Sequence, residues 1–207
     1  MTTAPKQARS VASMTRMLDA AESLLGSGGP DALTVEAVVR EAETSTGSFY
    51  ARFGDRQGLL VALQDRFLER LTASLVRSFE TAPGDTDLTR TVDTIVTGFV
   101  DAFRSNREAF VAFMLLNRSE PSMRDRGAEA SRAAAAAISQ LLEEHRDEIA
   151  HPDPTLAAEF AYRTLFAIAT QTVMFDDLEI SDRRYTERGL AAETTALLLA
   201  YLRSPGN

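Results

Sequence analysis

Between residues 34 and 56 the chain gathers hydroxyls and guanidiniums at spacings that suit one task, hydrogen bonding to the oxygens of a phosphate backbone. Thr34 comes first, then the run Ser45, Thr46, Gly47 and Ser48, and finally Tyr50, Arg52 and Arg56. Hydroxyl and guanidinium groups donate to anionic oxygens, and side chains that end at Cβ or hydrogen let a backbone approach the same partner closely. Phe49 and Phe53 stand one helical turn apart in the same stretch. TSTGSFYARF is therefore poor in helix formers on one edge and heavily aromatic on the other. That asymmetry fits a short helix whose lean edge meets something from outside.

Other chemistries find little support. The chain has no cysteine, which removes disulfides and thiolate metal sites. Its two histidines, His145 and His151, lack the one-turn spacing of a helical metal pair. The carboxylate pairs Glu143-Glu144 and Asp176-Asp177 are adjacent in sequence, so their members point in different directions. No glycine-rich phosphate loop and no Ser/His/Asp order stands out. The expectation is a protein that is not an enzyme and needs neither metal nor cofactor.

Formal net charge is -8. Residues 1–80 carry nine basic and ten acidic side chains, and residues 81–207 carry thirteen and twenty, giving -1 and -7. A polyanion would have to be held by a few well-placed groups in the first part, because the bulk field repels it. No apolar run reaches the roughly 18 residues that span a bilayer, and the start lacks a secretory core. A cytoplasmic protein with no membrane partner is expected.

The elements that position these residues all read as helices. Val11, Met14, Leu18, Ala21 and Leu25 give the first an apolar side from about Ser10 to Leu25, and GSGGPD stops it. Thr34 caps a short second helix with Val35, Val38 and Val39 inward. The hydroxyl-rich stretch is the third, and Asp55 caps a long fourth. TAPGDTD, residues 81–87, reads as a linker. A fifth helix follows from Leu88, a sixth from Asn106, a seventh from Pro121 to about Ile149, an eighth from Asp153-Pro154, and a ninth from about Asp182 to Arg203. The eighth and ninth are apolar nearly all round. Such helices suit the core of a large monomer, or a seam in which two subunits build a four-helix bundle, and the pattern favours the seam.

Short helix, tight turn and short helix form a helix-turn-helix, whose second member enters the DNA major groove. The span MLDAAESLLGSGGPDALTVEAVVREAETSTGSFYARFGDRQGLLVAL, residues 17–63, resembles the DNA-binding region of the tetracycline-repressor (TetR) family of bacterial regulators. LDAAESLL with its glycine stop, LTVEAV, and the core A-x-x-S-x-G-S-F-Y-x-x-F carry the likeness. It implies an all-α fold of about nine helices, with a helix-turn-helix domain over residues 1–55, a connecting fourth helix over 56–80, and a ligand-binding and dimerisation domain over 81–207. It further implies that Thr34, Ser45, Thr46, Gly47, Ser48, Tyr50 and Arg56 touch DNA, with Arg52 a further candidate on the exposed side. Two positions depart from the family pattern. Glu43 stands where the family usually has glycine, at a turn whose positive φ would cost about 1 kcal/mol, and Arg56 replaces the common lysine.

The same resemblance implies a homodimer through the last two helices, a double-stranded DNA operator, and a small-molecule effector in the second domain. Candidate lining residues are Phe67, Phe99, Phe103, Phe110, Phe113, Met114, Asn117, Leu141, Phe166 and Met174, whose richness in phenylalanine suits a lipophilic ligand as well as it suits a plain core. The expected function is a transcriptional repressor released from a palindromic operator by such an effector. The alternative is a TetR-like dimeric module that binds a ligand or a protein without sequence-specific DNA binding.

Overall fold

The computed structural model describes residues 4–80, 87–175 and 182–205. Among these, helices α1 (Ala4–Gly28), α2 (Val35–Glu41), α3 (Thr46–Phe53), α4 (Arg56–Glu80), α5 (Leu88–Ser105), α6 (Arg107–Ser119), α7 (Pro121–Glu143), α8 (Pro154–Met174) and α9 (Glu187–Leu202) follow one another without a strand. The all-α architecture is the one expected. None of the described helices is long and apolar enough to cross a membrane. Most of the expected linker, residues 81–86, and the pair Asp176-Asp177 lie outside the described residues.

Helix ends follow local side-chain chemistry. Asp87, Asp153 and Thr186 each accept a hydrogen bond from the backbone N–H three residues on, satisfying donors that have no intrahelical partner. Pro154 adds a first-turn residue with φ already set. Three helices differ in their boundaries from expectation, the first of them running from Ala4 to Gly28. The seventh helix stops at Glu143 and gives way to a short 3-10 turn over Arg146–Glu148, and the ninth starts at Glu187 because Thr186 supplies its cap.

Contacts divide the chain into two compact units, Met1–Glu69 with Glu108–Arg126, and Arg70–Arg107 with Gly127–Asn207. In the first unit Met17, Leu18, Ala21 and Leu25 of α1 bury with Leu33, Val38, Phe49, Leu59, Leu60 and Leu63. Val11 and Met14, expected on that apolar side, are exposed. On this stretch of α1 the polar Ser13 and Arg16 face the α2–α3 turn instead, bonding Thr44 and the Ala42 carbonyl. Phe67 of α4 closes the unit against Phe110 and Phe113 of α6, with ring centroids 6.4 and 5.1 Å away.

The second unit is built on α5, whose inner face packs against α8 and α9. Leu88, Val92, Val96, Phe99 and Phe103 of α5 are buried, as are Ala157, Ala161 and Leu165 of α8 and Leu198 and Leu202 of α9. The outer faces of α8 and α9 stay apolar yet open: Leu156, Phe160 and Leu197 are 51%, 48% and 53% exposed.

Candidate functional site

The α2–turn–α3 segment is held by its own caps. Thr34 Oγ1 accepts from the Ala37 N–H at 3.1 Å, and Ser45 Oγ from the Ser48 N–H at 3.1 Å. Ser45 and Ser48 hydroxyls also meet at 2.9 Å. Between the helices the chain turns through Glu43 at φ 48°, the one non-glycine residue with positive φ among the described residues. The Thr44 N–H donates to the Val39 carbonyl at 2.9 Å and the Glu43 N–H to the Arg40 carbonyl at 3.2 Å. This is a Schellman closure with glutamate in the left-handed position that glycine normally takes.

The closure aims α3 so that its two edges differ as its composition suggests. Phe49 is fully buried and Phe53 nearly so, their rings 5.2 Å apart. Ser45, Thr46 and Gly47 are exposed, Ser48 is half-buried, and Tyr50 is 51% exposed with its ring edge-on to Phe49. A Cβ built on Gly47 would meet nothing within 4 Å. Glycine within a helix costs up to about 1 kcal/mol against alanine, and here no internal contact requires it. Among the described residues nothing packs against Gly47.

Beyond α3 the corner is tight. Gly54 ends the helix at φ 75°, its N–H bonding the Tyr50 carbonyl, and Asp55 Oδ1 caps α4 by accepting from the Gly58 N–H at 2.8 Å. A Cβ at Gly58 would lie 1.8 Å from the Phe53 carbonyl oxygen, so the start of α4 abuts α3 with no room for a side chain. Sequence reasoning passed over Gly58, although a glycine inside a helical pattern signals such close approach. Arg52 is exposed. Arg56 is half-buried and reaches back: its Nε donates to the Leu33 carbonyl at 2.9 Å and its Nη2 to the Pro30 carbonyl at 3.1 Å. The guanidinium thus holds the turn from which Thr34 caps α2.

A second set of contacts, not anticipated from sequence, straps the α6–α7 corner onto α4. Gln57 Nε2 donates to Ser122 Oγ at 2.8 Å, buried Gln64 Nε2 to the Met123 carbonyl at 2.8 Å, and Asp65 pairs with Arg126. Glu120 lies 3.9 Å from Arg56. These bonds hold the flank of α4 beside its apolar stripe, and a glutamine next to that stripe was the available clue.

The second unit holds a cavity of 680 Å³ wholly within its own residues. Thr72, Leu75 and Val76 of α4 form one wall, α7 from Ala130 to Leu141 the other, and Ile95 and Phe99 of α5 the floor. Of the residues expected to line a ligand site, Phe99 and Leu141 face this cavity. Phe103 stacks on Phe99 at 4.5 Å and Phe166 sits edge-on to Phe103, behind the floor. Phe67, Phe110 and Phe113 form the first-unit cluster already described, Met114 is half-buried on α6, and Met174 is half-buried at the end of α8. The Asn117 side chain lies outside the described residues. The alanines of α7 were missed because small side chains leave space without announcing it.

Several titratable groups of the second unit are engaged in local hydrogen bonds. His145 Nε2 meets Thr91 Oγ1 at 2.8 Å and its Nδ1 meets Glu148 Oε1 at 3.2 Å, while the same carboxylate oxygen accepts from the Leu88 N–H at 3.1 Å. This network ties the start of α5 to the 3-10 turn after α7. His151 Nδ1 accepts from the Asp153 N–H. Burial pushes the Tyr162 phenol above its ordinary value, opposed by its hydrogen bond with Ser131 at 2.7 Å. Among the described residues no group of acidic, histidine or cysteine side chains could hold a metal ion.

Solved structures share this arrangement, although the chain has no match among curated proteins. A protein of unknown function from Rhodococcus sp. RHA1 superposes with a TM-score of 0.73 at 25% identity, covering 93% of this chain and 96% of its own. The fatty acid degradation regulator FadR from Bacillus halodurans gives 0.70 at 20%, with 92% and 96% covered. A TetR-like transcriptional regulator from Rhodococcus sp. RHA1 gives 0.66 at 19%, with 91% and 94% covered. Residues 17–63, which include the whole α2–turn–α3 segment, fit the profile of bacterial regulatory proteins of the tetR family, and residues 87–202 fit that of the tetracyclin repressor-like C-terminal domain. With its helix-turn-helix and its helical second unit both accounted for, the chain belongs to the tetR family of bacterial regulatory proteins.

Proposed function

We propose that the protein is a repressor that binds a near-palindromic operator as a homodimer and is released by a small lipophilic effector. The observation that carries this reading is the exposed edge of α3, where Gly47 has open space around it and Ser45, Thr46, Ser48 and Tyr50 flank it with hydroxyls. That edge is what close contact with bases and phosphates requires. Thr34 and Arg52 extend the contact on either side. Arg56 contributes chiefly by holding the Pro30–Leu33 turn, so its part is to position Thr34 and the α2 amides. The open apolar faces of α8 and α9, with Leu156, Phe160 and Leu197, supply the self-complementary seam of a two-fold dimer.

The effector belongs in the second-unit cavity, whose size and apolar lining suit a lipophilic ligand. FadR, a structural relative, is named for regulating fatty acid degradation, which agrees with a lipophilic class. α4 carries Arg56 near its start and Thr72 to Val76 of the cavity wall further on, so one helix links both tasks. An effector that favours one conformation over another by about 1–3 kcal/mol would switch DNA occupancy usefully.

A second reading, a dimeric module that binds ligand or protein without reading DNA, draws on the Glu43 carboxylate beside α3 and on the inward guanidinium of Arg56. Operator selection from random duplexes, followed by a salt titration, separates the two. A repressor enriches a palindrome, loses affinity as salt rises, and loses it again in Tyr50→Ala. A module enriches nothing, and that result would end the repressor reading.

A further inference from the structure

Resting on the reading of the cavity as the effector site, we infer that its ligand is a slender amphiphile with a positively charged end, a long-chain amine or ammonium compound and not a carboxylate. Ala130, Ala133, Ala134 and Ala137 recur at three- and four-residue steps and so form one stripe along α7 that Leu141 continues. Side chains ending at Cβ leave a narrow slot, and at 1.5 Å per residue it runs about 16 Å from Ala130 to Leu141. Leu75, Val76, Ile95 and Phe99 complete an apolar channel. A long unbranched tail fits such a slot better than a broad ring system.

Polarity enters mainly at one end. Gln140 and Glu144 line the cavity where α7 runs out at Glu143. Among the described residues Glu144 is the one charged group in the lining, with no lysine, arginine or histidine beside it there. The nearest arginine in sequence, Arg146, is taken by Glu143 at 2.8 Å. The last carbonyls of α7 add partial negative charge at the same end. A cationic head is drawn to this place by two independent features, and a carboxylate is repelled by both.

The test is titration calorimetry of the full chain near neutral pH with dodecylamine, dodecanol and dodecanoate, each below its micelle threshold. The amine should bind about fivefold or more tightly than dodecanoate, with dodecanol between, since attraction for one head and repulsion for the other add even for partly exposed charges. Glu144→Gln should narrow the gap between amine and carboxylate to the smaller part that the end of α7 supplies, and leave dodecanol unchanged. Ala134→Trp should block all three. If that variant misfolds by circular dichroism, Ala137→Phe at an exposed position of the slot takes its place. Dodecanoate binding as tightly as the amine, a gap left undiminished by Glu144→Gln, or no binding by any probe overturns the inference. Operator selection on the same unliganded protein keeps the two readings apart. Retained operator binding without probe binding sinks the ligand class alone, and probe binding without an operator sinks the repressor alone.

Discussion

Replacing Gly47 with alanine asks one residue to answer two questions. The position lies in the first turn of α3 and is exposed, and a methyl group placed there would find no atom within 4 Å. Alanine should therefore stabilise the helix by up to about 1 kcal/mol through propensity alone. For a chain of this size that corresponds to a rise of roughly 2–4 °C in the melting midpoint, if unfolding is cooperative. On the operator the same methyl should hurt. It stands between Thr46 and Ser48, and pushing α3 outward stretches the neighbouring contacts. Each hydrogen bond lost costs about 0.5–1.5 kcal/mol, so two would weaken binding by about fivefold to more than a hundredfold. Thermal unfolding gives the first number and fluorescence anisotropy on a selected operator the second. A variant that is more stable yet binds DNA as tightly as the parent would refute the claim that this edge is bare to let DNA approach. A variant that loses stability would mean that the methyl meets protein, and the orientation of α3 would be wrong.

Three further outcomes are expected. Glu43→Gly should raise stability by about 0.5–1 kcal/mol, the relief of the left-handed strain less the entropy glycine loses, whereas Glu43→Ala should not; equal effects in urea unfolding would show that charge and not φ is at issue. Gly58→Ala should cost about 1–3 kcal/mol, since the methyl must displace the Phe53 carbonyl, and a neutral variant would mean that the α3–α4 corner is looser than described. Tyr162 has a raised folded value, so the stability it contributes is complete below the ordinary phenol value near 10 and is lost as pH rises through the raised one. Ultraviolet titration should show one of the four tyrosines ionising late and together with unfolding, and Tyr162→Phe should remove that alkaline loss. Simultaneous ionisation of all four would count against it.

The helices and most of their ends were legible because caps act within three or four residues. Thr34, Asp55 and Asp153 each announce a start that the structure contains. The lean and heavy edges of α3 were legible for the same reason, since helical periodicity alone separates Gly47 from Phe49. Arg56 was not, because the carbonyls it grips belong to Pro30 and Leu33, more than twenty residues back, and no local pattern records them. The strap from Gln57, Gln64 and Asp65 to residues 122–126 is longer still in sequence. The cavity illustrates a different blindness. Phenylalanines catch the eye, but they fill space, and Phe67, Phe110 and Phe113 do so in the first unit. Room is left where side chains are short, and a run of alanines reads simply as good helix.

The partnership of Phe67 with α6 bears on anyone who would graft this regulator's front end onto another protein. A fragment cut after Glu80 looks self-sufficient on paper, since it carries α1 to α4 entire. It would nevertheless leave behind Phe110 and Phe113, which come from residues 108–126, and would turn the 4% exposure of Phe67 into a naked ring. A chimaera built at that junction inherits a sticky scar, and a successful one must either bring the distant helix along or recruit a substitute lid from its new host.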